Sequence, residues 1–138
     1  MKDAATELSA LAERVEQAEP HMQGVLLDRA WDELAECSAV FRRYAVQHQP
    51  GFDNNAGKFA MAMEARAYES AAMMLVPEGY EFAAGTGRKE HMEAKGRKPW
   101  AWCATGSDLV DRLSLADTPA LALTAAALRA HAAIAGEG

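Results

Sequence analysis

The chain has 138 residues, 50% of them hydrophobic and 25% charged, with a net charge of −6. This length predicts a single domain, 1–138, and the composition excludes a chain that is largely disordered. No apolar run approaches the roughly 20 residues that cross a bilayer, and the first residues lack the apolar stretch of a secretory signal. We therefore expect a cytoplasmic protein with no membrane partner. We also expect no specific binding of duplex nucleic acid, which requires a broad basic surface.

The charge is distributed unevenly along the chain. Residues 1–40 contain nine acidic and three basic side chains, and so carry the whole negative excess. The rest of the chain is balanced. Within the single domain we expect an acidic helical N-terminal part over 1–47 and an α-β-β-α part over 55–135.

Hydrophobic spacing predicts three helices in the first half of the chain. The first covers about 3–19 and stops at Pro20, and the second runs from about 22 to 47. The third follows an N-capping cluster at 53–55 and runs from about 55 to 75. Their apolar stripes include Leu8, Leu11, Val15, Leu27, Trp31, Leu34, Phe41, Tyr44, Phe59, Met63 and Ala71.

The hydrophobic period changes after the turn signal at 77–79. Residues 80–84 and 99–104 alternate large and small side chains, which predicts two antiparallel strands joined by a long loop. We expect the aromatic side chains of the two strands to meet on one face of this hairpin. They are Tyr80, Phe82, Trp100 and Trp102.

A last helix completes the predicted fold. Thr118 and Pro119 form a helix start, and alanine and leucine continue the helix to about Ile134. The fold class is α+β, with about four helices and a small antiparallel sheet in helix/sheet/helix layers. We expect the third and last helices to pack on the sheet. A lone hairpin has two free edges, so either a third strand from 105–116 or a second copy covers one of them, and we favour a homo-oligomer.

Several stretches of the chain resemble small proteins of tailed phages and prophages. They are ALAERVEQAE, AMMLVPEGYEF, GRKPWAWC and ADTPALALTAAALRAH. On these stretches the chain is similar to the phage ABA-sandwich domain family, although its hairpin loop is longer and more basic than in that family. The resemblance implies layers of helix and sheet, a bacteriophage origin and a location in the cytoplasm of the bacterial host. It supplies no catalytic residues.

The sequence does not favour catalytic or metal chemistry. The four histidines are scattered, and none has the spacing that places two ligands on one face. Cys37 and Cys103 belong to no metal or redox motif, so we expect both to be reduced and buried. No serine has the local sequence of a nucleophile. We expect no enzyme activity, no cofactor and no metal site.

One segment of the chain is basic and lies beside two tryptophans. Cationic side chains bind phosphates, and aromatic rings stack on bases, so this combination predicts a nucleotide site. The alternative is that the indoles pack in the core and the cations only solubilise a long loop. The candidate ligand-binding residues are Arg88, Lys89, Lys95, Arg97, Lys98, Trp100 and Trp102.

Three kinds of non-enzymatic function are compatible with these features. We expect a phage protein that antagonises host defence by sequestering a small nucleotide immune signal. The alternatives are an inhibitor that presents an acidic, nucleic-acid-like face to a host defence protein, and an accessory or structural phage protein. The acidic face would contain Glu13, Glu16, Asp28, Asp32, Glu33 and Glu36.

Overall fold

The computed structural model describes residues 3–86, 99–104 and 113–137. Within these residues the chain forms six α-helices and a three-stranded antiparallel sheet. In chain order they are α1 (Ala4–Glu16), α2 (Gln23–Cys37), α3 (Ala39–Ala45), α4 (Asn55–Glu64), α5 (Tyr68–Met73), β1 (Glu81–Gly85), β2 (Trp100–Ala104), β3 (Ser114–Leu115) and α6 (Pro119–Glu137). The α+β class is confirmed. The predicted number of about four helices is wrong, because two of the expected helices are divided.

The predicted second helix is divided at Ser38 into α2 and α3. Ser38 has an extended backbone, and its hydroxyl accepts a hydrogen bond from the amide of Phe41 at 3.0 Å, as an N-cap does. Arg42 donates to two carbonyls in the last turn of α2, at 2.7 and 3.0 Å. The apolar stripe continues across the break, with the rings of Trp31 and Phe41 4.8 Å apart. Periodicity therefore did not indicate the break.

The predicted third helix is divided at Arg66 into α4 and α5. Arg66 has a φ of 58°, in the left-handed region that glycine usually occupies at the end of a helix. The amide of Ala67 donates to the carbonyl of Ala62 at 2.8 Å, and the amide of Arg66 donates to Met63 at 3.0 Å. This pair of hydrogen bonds is a Schellman motif, here formed without glycine.

The centre of the fold is α6, which is apolar on every side. Each residue from Ala120 to Leu128 is at most 4% exposed. A helix of this kind must be covered all round. Helices α1, α2 and α5 and the sheet provide the cover. Among the helices in the described residues, α6 alone has the length and hydropathy to suit a membrane span, but 61% of that stretch is buried inside the protein, as in the central helix of a globular core.

Polar contacts hold α6 at its start and near its middle. The Thr118 hydroxyl accepts from the amide of Leu121 at 3.1 Å, which confirms the predicted helix start, and donates to the side chain of Gln23 at 2.9 Å. Further along, Arg129 donates to both carboxylate oxygens of Glu16, at 3.1 and 2.7 Å. This two-point contact ties α6 to the end of α1, which runs antiparallel to it.

The sheet covers one side of α6. Its strand order is β1-β2-β3. A free edge of the hairpin was expected to be covered either by a third strand from 105–116 or by a second copy of the chain, and β3, which lies within 105–116, is such a third strand. Ala101 and Cys103 of β2 are buried in the hydrophobic core around α6. Helix α5 packs against α6 and α2 rather than against the sheet, contrary to the expected packing of the third helix. In the part of the chain described, the middle layer is thus α6 and not the sheet.

Replacing Arg66 with glycine should stabilise the protein. Glycine has no Cβ to clash in the left-handed conformation, so Arg66→Gly should raise the free energy of unfolding by about 1 kcal/mol in urea titrations. Arg66→Ala is the matched control, because it removes the same side chain but keeps the Cβ. We expect no gain from it. A glycine variant less stable than the alanine variant would contradict this geometry.

Candidate functional site

Strand β2 places its two tryptophans together. Side chains alternate along a strand, so Trp100 and Trp102 lie on the opposite side of the sheet from Ala101 and Cys103, which are buried. Both tryptophans are half-buried. The β1 residues paired with them lie on the same side. We define the tryptophan face as Ala83, Gly85, Trp100 and Trp102.

The predicted contact between the aromatic side chains of β1 and β2 is wrong. Phe82 pairs with Cys103, so it lies on the side of the sheet away from the tryptophans, where it is 39% exposed. Tyr80, just before β1, packs against the hydrophobic core. A register change of one residue transfers every side chain of a strand to the other side. The alternation within each strand was predicted correctly, but it does not determine how the two strands are aligned.

Small residues of β1 make room for the indoles. A Cβ added to Gly85 would lie 2.9 Å from Cζ2 and 3.2 Å from Cε2 of Trp100, closer than atoms pack. Trp102 is paired with Ala83, which is also small. On this side of the sheet β1 contributes the small residues Ala83 and Gly85 opposite the tryptophans and, at its start, the exposed side chain of Glu81.

The other five candidate ligand-binding residues lie outside the described residues: Arg88, Lys89, Lys95, Arg97 and Lys98. The two indoles are thus the part of the predicted site whose positions are described. Strand β1 ends at Gly85 and β2 begins at Trp100, and these two residues are paired. The chain that carries the five cations therefore leaves and re-enters the sheet at the tryptophan face.

A second concave surface was not predicted from the sequence. It lies between α3, α6 and the segment that follows α5, and has a volume of about 370 Å³. Within it the rings of Phe41 and His131 meet edge to face, with centroids 5.9 Å apart. We call this surface the α3–α6 cleft. It is lined by Ser38, Val40, Phe41, Tyr44, Gln47, Met74, Val76, Pro77, Glu78, His131 and Ile134.

His131 is held in one orientation at this cleft. Its Nε2 lies 2.8 Å from the carbonyl oxygen of Leu75. A carbonyl oxygen only accepts, so Nε2 carries the proton and Nδ1 of the neutral ring keeps its lone pair. Burial lowers the pKa of His131, although the hydrogen bond to Leu75 acts in the opposite direction. The ring is therefore neutral at pH 7. Nothing in the sequence around His131 signalled this role.

The described residues offer little to nucleophilic or metal chemistry. Burial raises the pKa of the Cys103 thiol to about 12. The pKa of the Cys37 thiol is also raised, mainly by burial and to a lesser extent by the negative charge of Glu33. Both thiols are protonated at neutral pH and so are poor nucleophiles. Cys103 is buried as predicted, whereas Cys37 is half-buried. The same residues contain no group of three or more potential metal ligands.

The predicted acidic face is less uniform than expected. Glu16 is paired with Arg129, and the carboxylate of Glu33 is 3.9 Å from Arg29. Burial raises the pKa of Glu33, and the neighbouring carboxyl of Glu7 raises it further. The exposed acids of α2 recur at every fourth residue and form a narrow stripe. They are Asp28, Asp32 and Glu36.

Comparison with known proteins does not identify a relative of this chain. No protein-family model, curated protein or solved structure matches it. The resemblance to the phage ABA-sandwich domain family, and the phage origin that it implies, therefore remain predictions.

Replacing Gly85 with alanine should destabilise the sheet. The new methyl group would overlap the indole of Trp100, so Gly85→Ala should lower the free energy of unfolding by about 1–3 kcal/mol and alter the near-ultraviolet circular dichroism. The matched control is Gly57→Ala in α4, where the added Cβ would make only an ordinary contact at 3.5 Å. If both variants have the same stability, Trp100 does not lie against Gly85.

Proposed function

We propose that this protein binds and sequesters a small nucleotide without acting on it chemically. In this proposal the tryptophan face stacks on the base, and the basic segment between β1 and β2 holds the phosphates. One observation carries the proposal: two half-buried indoles lie on the side of the sheet away from the core, where the basic segment is attached. The alternative that the indoles are ordinary core residues fits this position less well.

The energies of such a site are adequate for a small ligand. Stacking of a base on an aromatic side chain is worth about 1–3 kcal/mol. Lys98 precedes Trp100 by two residues, so their Cα atoms are within roughly 7 Å of each other whatever the conformation between them. Hydrogen bonds from cationic side chains to phosphate oxygens are about twice as strong as neutral ones. Excess negative charge elsewhere on the chain favours a small nucleotide over a long polyanion.

The biological role in this proposal builds on the phage origin that the resemblance implies. A phage protein that captures a nucleotide immune signal in the bacterial cytoplasm would antagonise host defence, and it would need no cofactor. We also propose that the protein forms a homo-oligomer. Within the described residues no strand pairs with the outer edge of β1, and a second copy is one partner that this edge can accept.

A second candidate function is inhibition of a host protein through the acidic stripe of α2. The like charges of Asp28, Asp32 and Glu36 are four residues apart along one side of the helix. Such pairs destabilise a helix by a few tenths of a kcal/mol each. A stripe that weakens its own helix favours a binding role, here toward a basic surface. The thermal-shift experiment with nucleotides distinguishes this second candidate function from the nucleotide proposal.

The nucleotide proposal predicts a thermal shift. The protein would be heated in the presence of a panel of cyclic and linear nucleotides, each against a buffer control. A ligand present at about 100 times its dissociation constant should stabilise the fold by roughly 2.7 kcal/mol. If no nucleotide raises the melting temperature, the proposal fails and capture of a host protein by the acidic stripe becomes the leading function.

Charge reversal identifies which surface binds. The double variant Arg97→Glu with Lys98→Glu should abolish the shift, because two cations that hold phosphates are lost. The matched control, Asp32→Lys with Glu36→Lys, changes two exposed charges on α2 and should leave the shift intact. Each variant is compared with its own ligand-free melting temperature. Loss of the shift only in the control would place the nucleotide on α2.

A further inference from the structure

The α3–α6 cleft is separate from the tryptophan face and has the features of a second ligand site. We propose that it binds a small, uncharged aromatic molecule that donates a hydrogen bond to Nδ1 of His131. The volume of about 370 Å³ falls in the range of small-molecule sites. This inference does not depend on nucleotide binding.

Aromatic and aliphatic side chains form the walls of the cleft. The rings of Phe41 and Tyr44 are 5.6 Å apart and inclined by 46°; Phe41 is only 4% exposed and lines the cleft from the core, whereas Tyr44 is half-buried. At the rim, Val40 and Ile134 are 63% and 42% exposed. A ligand seated between them would remove this apolar surface from water, at about 25 cal/mol per Å².

His131 supplies a fixed hydrogen-bond acceptor. Its Nε2 proton is used by the carbonyl of Leu75, which holds the ring in place, and no hydrogen bond to Nδ1 occurs within the described residues. In the same residues the one buried side-chain nitrogen or oxygen without a partner is Ser114 Oγ. Nδ1 of His131 therefore has no hydrogen-bond partner among these residues and is not completely buried. An acceptor held in an apolar surface selects a ligand with an N–H or O–H donor.

The charges around the cleft favour a neutral ligand. Among the described residues that line it there is no lysine or arginine, and the single acidic residue, Glu78, is exposed. Burial raises the pKa of Tyr44, whose hydroxyl stays protonated. An anion would lose hydration here without gaining an opposite charge, and a cation would meet only the exposed Glu78, where water weakens the attraction. An uncharged ring with one donor loses little and satisfies Nδ1.

Two probes of the same shape test the proposal. Indole has an N–H donor, and benzofuran replaces it with an oxygen. Calorimetric titration of the whole protein should give indole a dissociation constant roughly five-fold lower than that of benzofuran, which corresponds to one neutral hydrogen bond. Equal affinities, or no binding of either probe at millimolar concentration, would overturn the proposal.

Two comparisons show where the probes bind: the parent protein with a variant of His131, and a variant of Ile134 with a matched variant of Val25. His131→Phe keeps an aromatic ring at this position but has no hydrogen-bond acceptor, so the two probes should bind it equally. Ile134→Trp should block the cleft and abolish binding of both probes. Val25→Trp places the same side chain at an exposed valine on α2 outside the cleft, and should bind both probes as the parent protein does. Preference for indole that persists in His131→Phe, or unchanged binding in Ile134→Trp, would contradict the proposal.

Discussion

The fold depends on the burial of α6 on all sides. Its leucines are completely buried, and each such side chain contributes about 1.5–3 kcal/mol to the free energy of folding. The alanines between them let neighbouring elements come close, and α1, α2, α5 and the sheet all pack against the helix. No other element described has this central position. The remaining helices are amphipathic or short; α1, α2 and α5 are stabilised by packing against α6, and α3 and α4 by packing against α2 and α5.

Both candidate sites follow from the position of α6. Because Ala101 and Cys103 of β2 face the core, alternation along the strand places both tryptophans on the other side of the sheet. The α3–α6 cleft forms where the last turns of α6 carry His131 and Ile134 past α3. The break at Ser38 matters here, because it lets α3 take its own direction and bring Phe41 to His131. The two sites thus lie on surfaces that are set by one helix.

The sequence predicted the elements better than their ends and alignment. The helix starts at Asn54 and Thr118 and the alternation of β1 and β2 were recognised, because side-chain caps and period-two patterns are local signals. The breaks at Ser38 and Arg66 were missed, since the apolar stripe continues through both and Arg66 is an unusual residue at a left-handed helix end. The alignment of β1 with β2 and the cleft depend on contacts distant in sequence. For the candidate site, the sequence indicated the tryptophans but not His131.

Native-state hydrogen exchange tests the central position of α6 most directly. If the other elements are held by α6, its amides between Leu121 and Leu128 can exchange only when the whole protein unfolds. They should therefore be the most protected in the chain, with exchange free energies equal to the global free energy of unfolding measured with denaturant. If these amides exchange as fast as those of α4 or β1, then α6 opens locally and is not the element on which the fold depends.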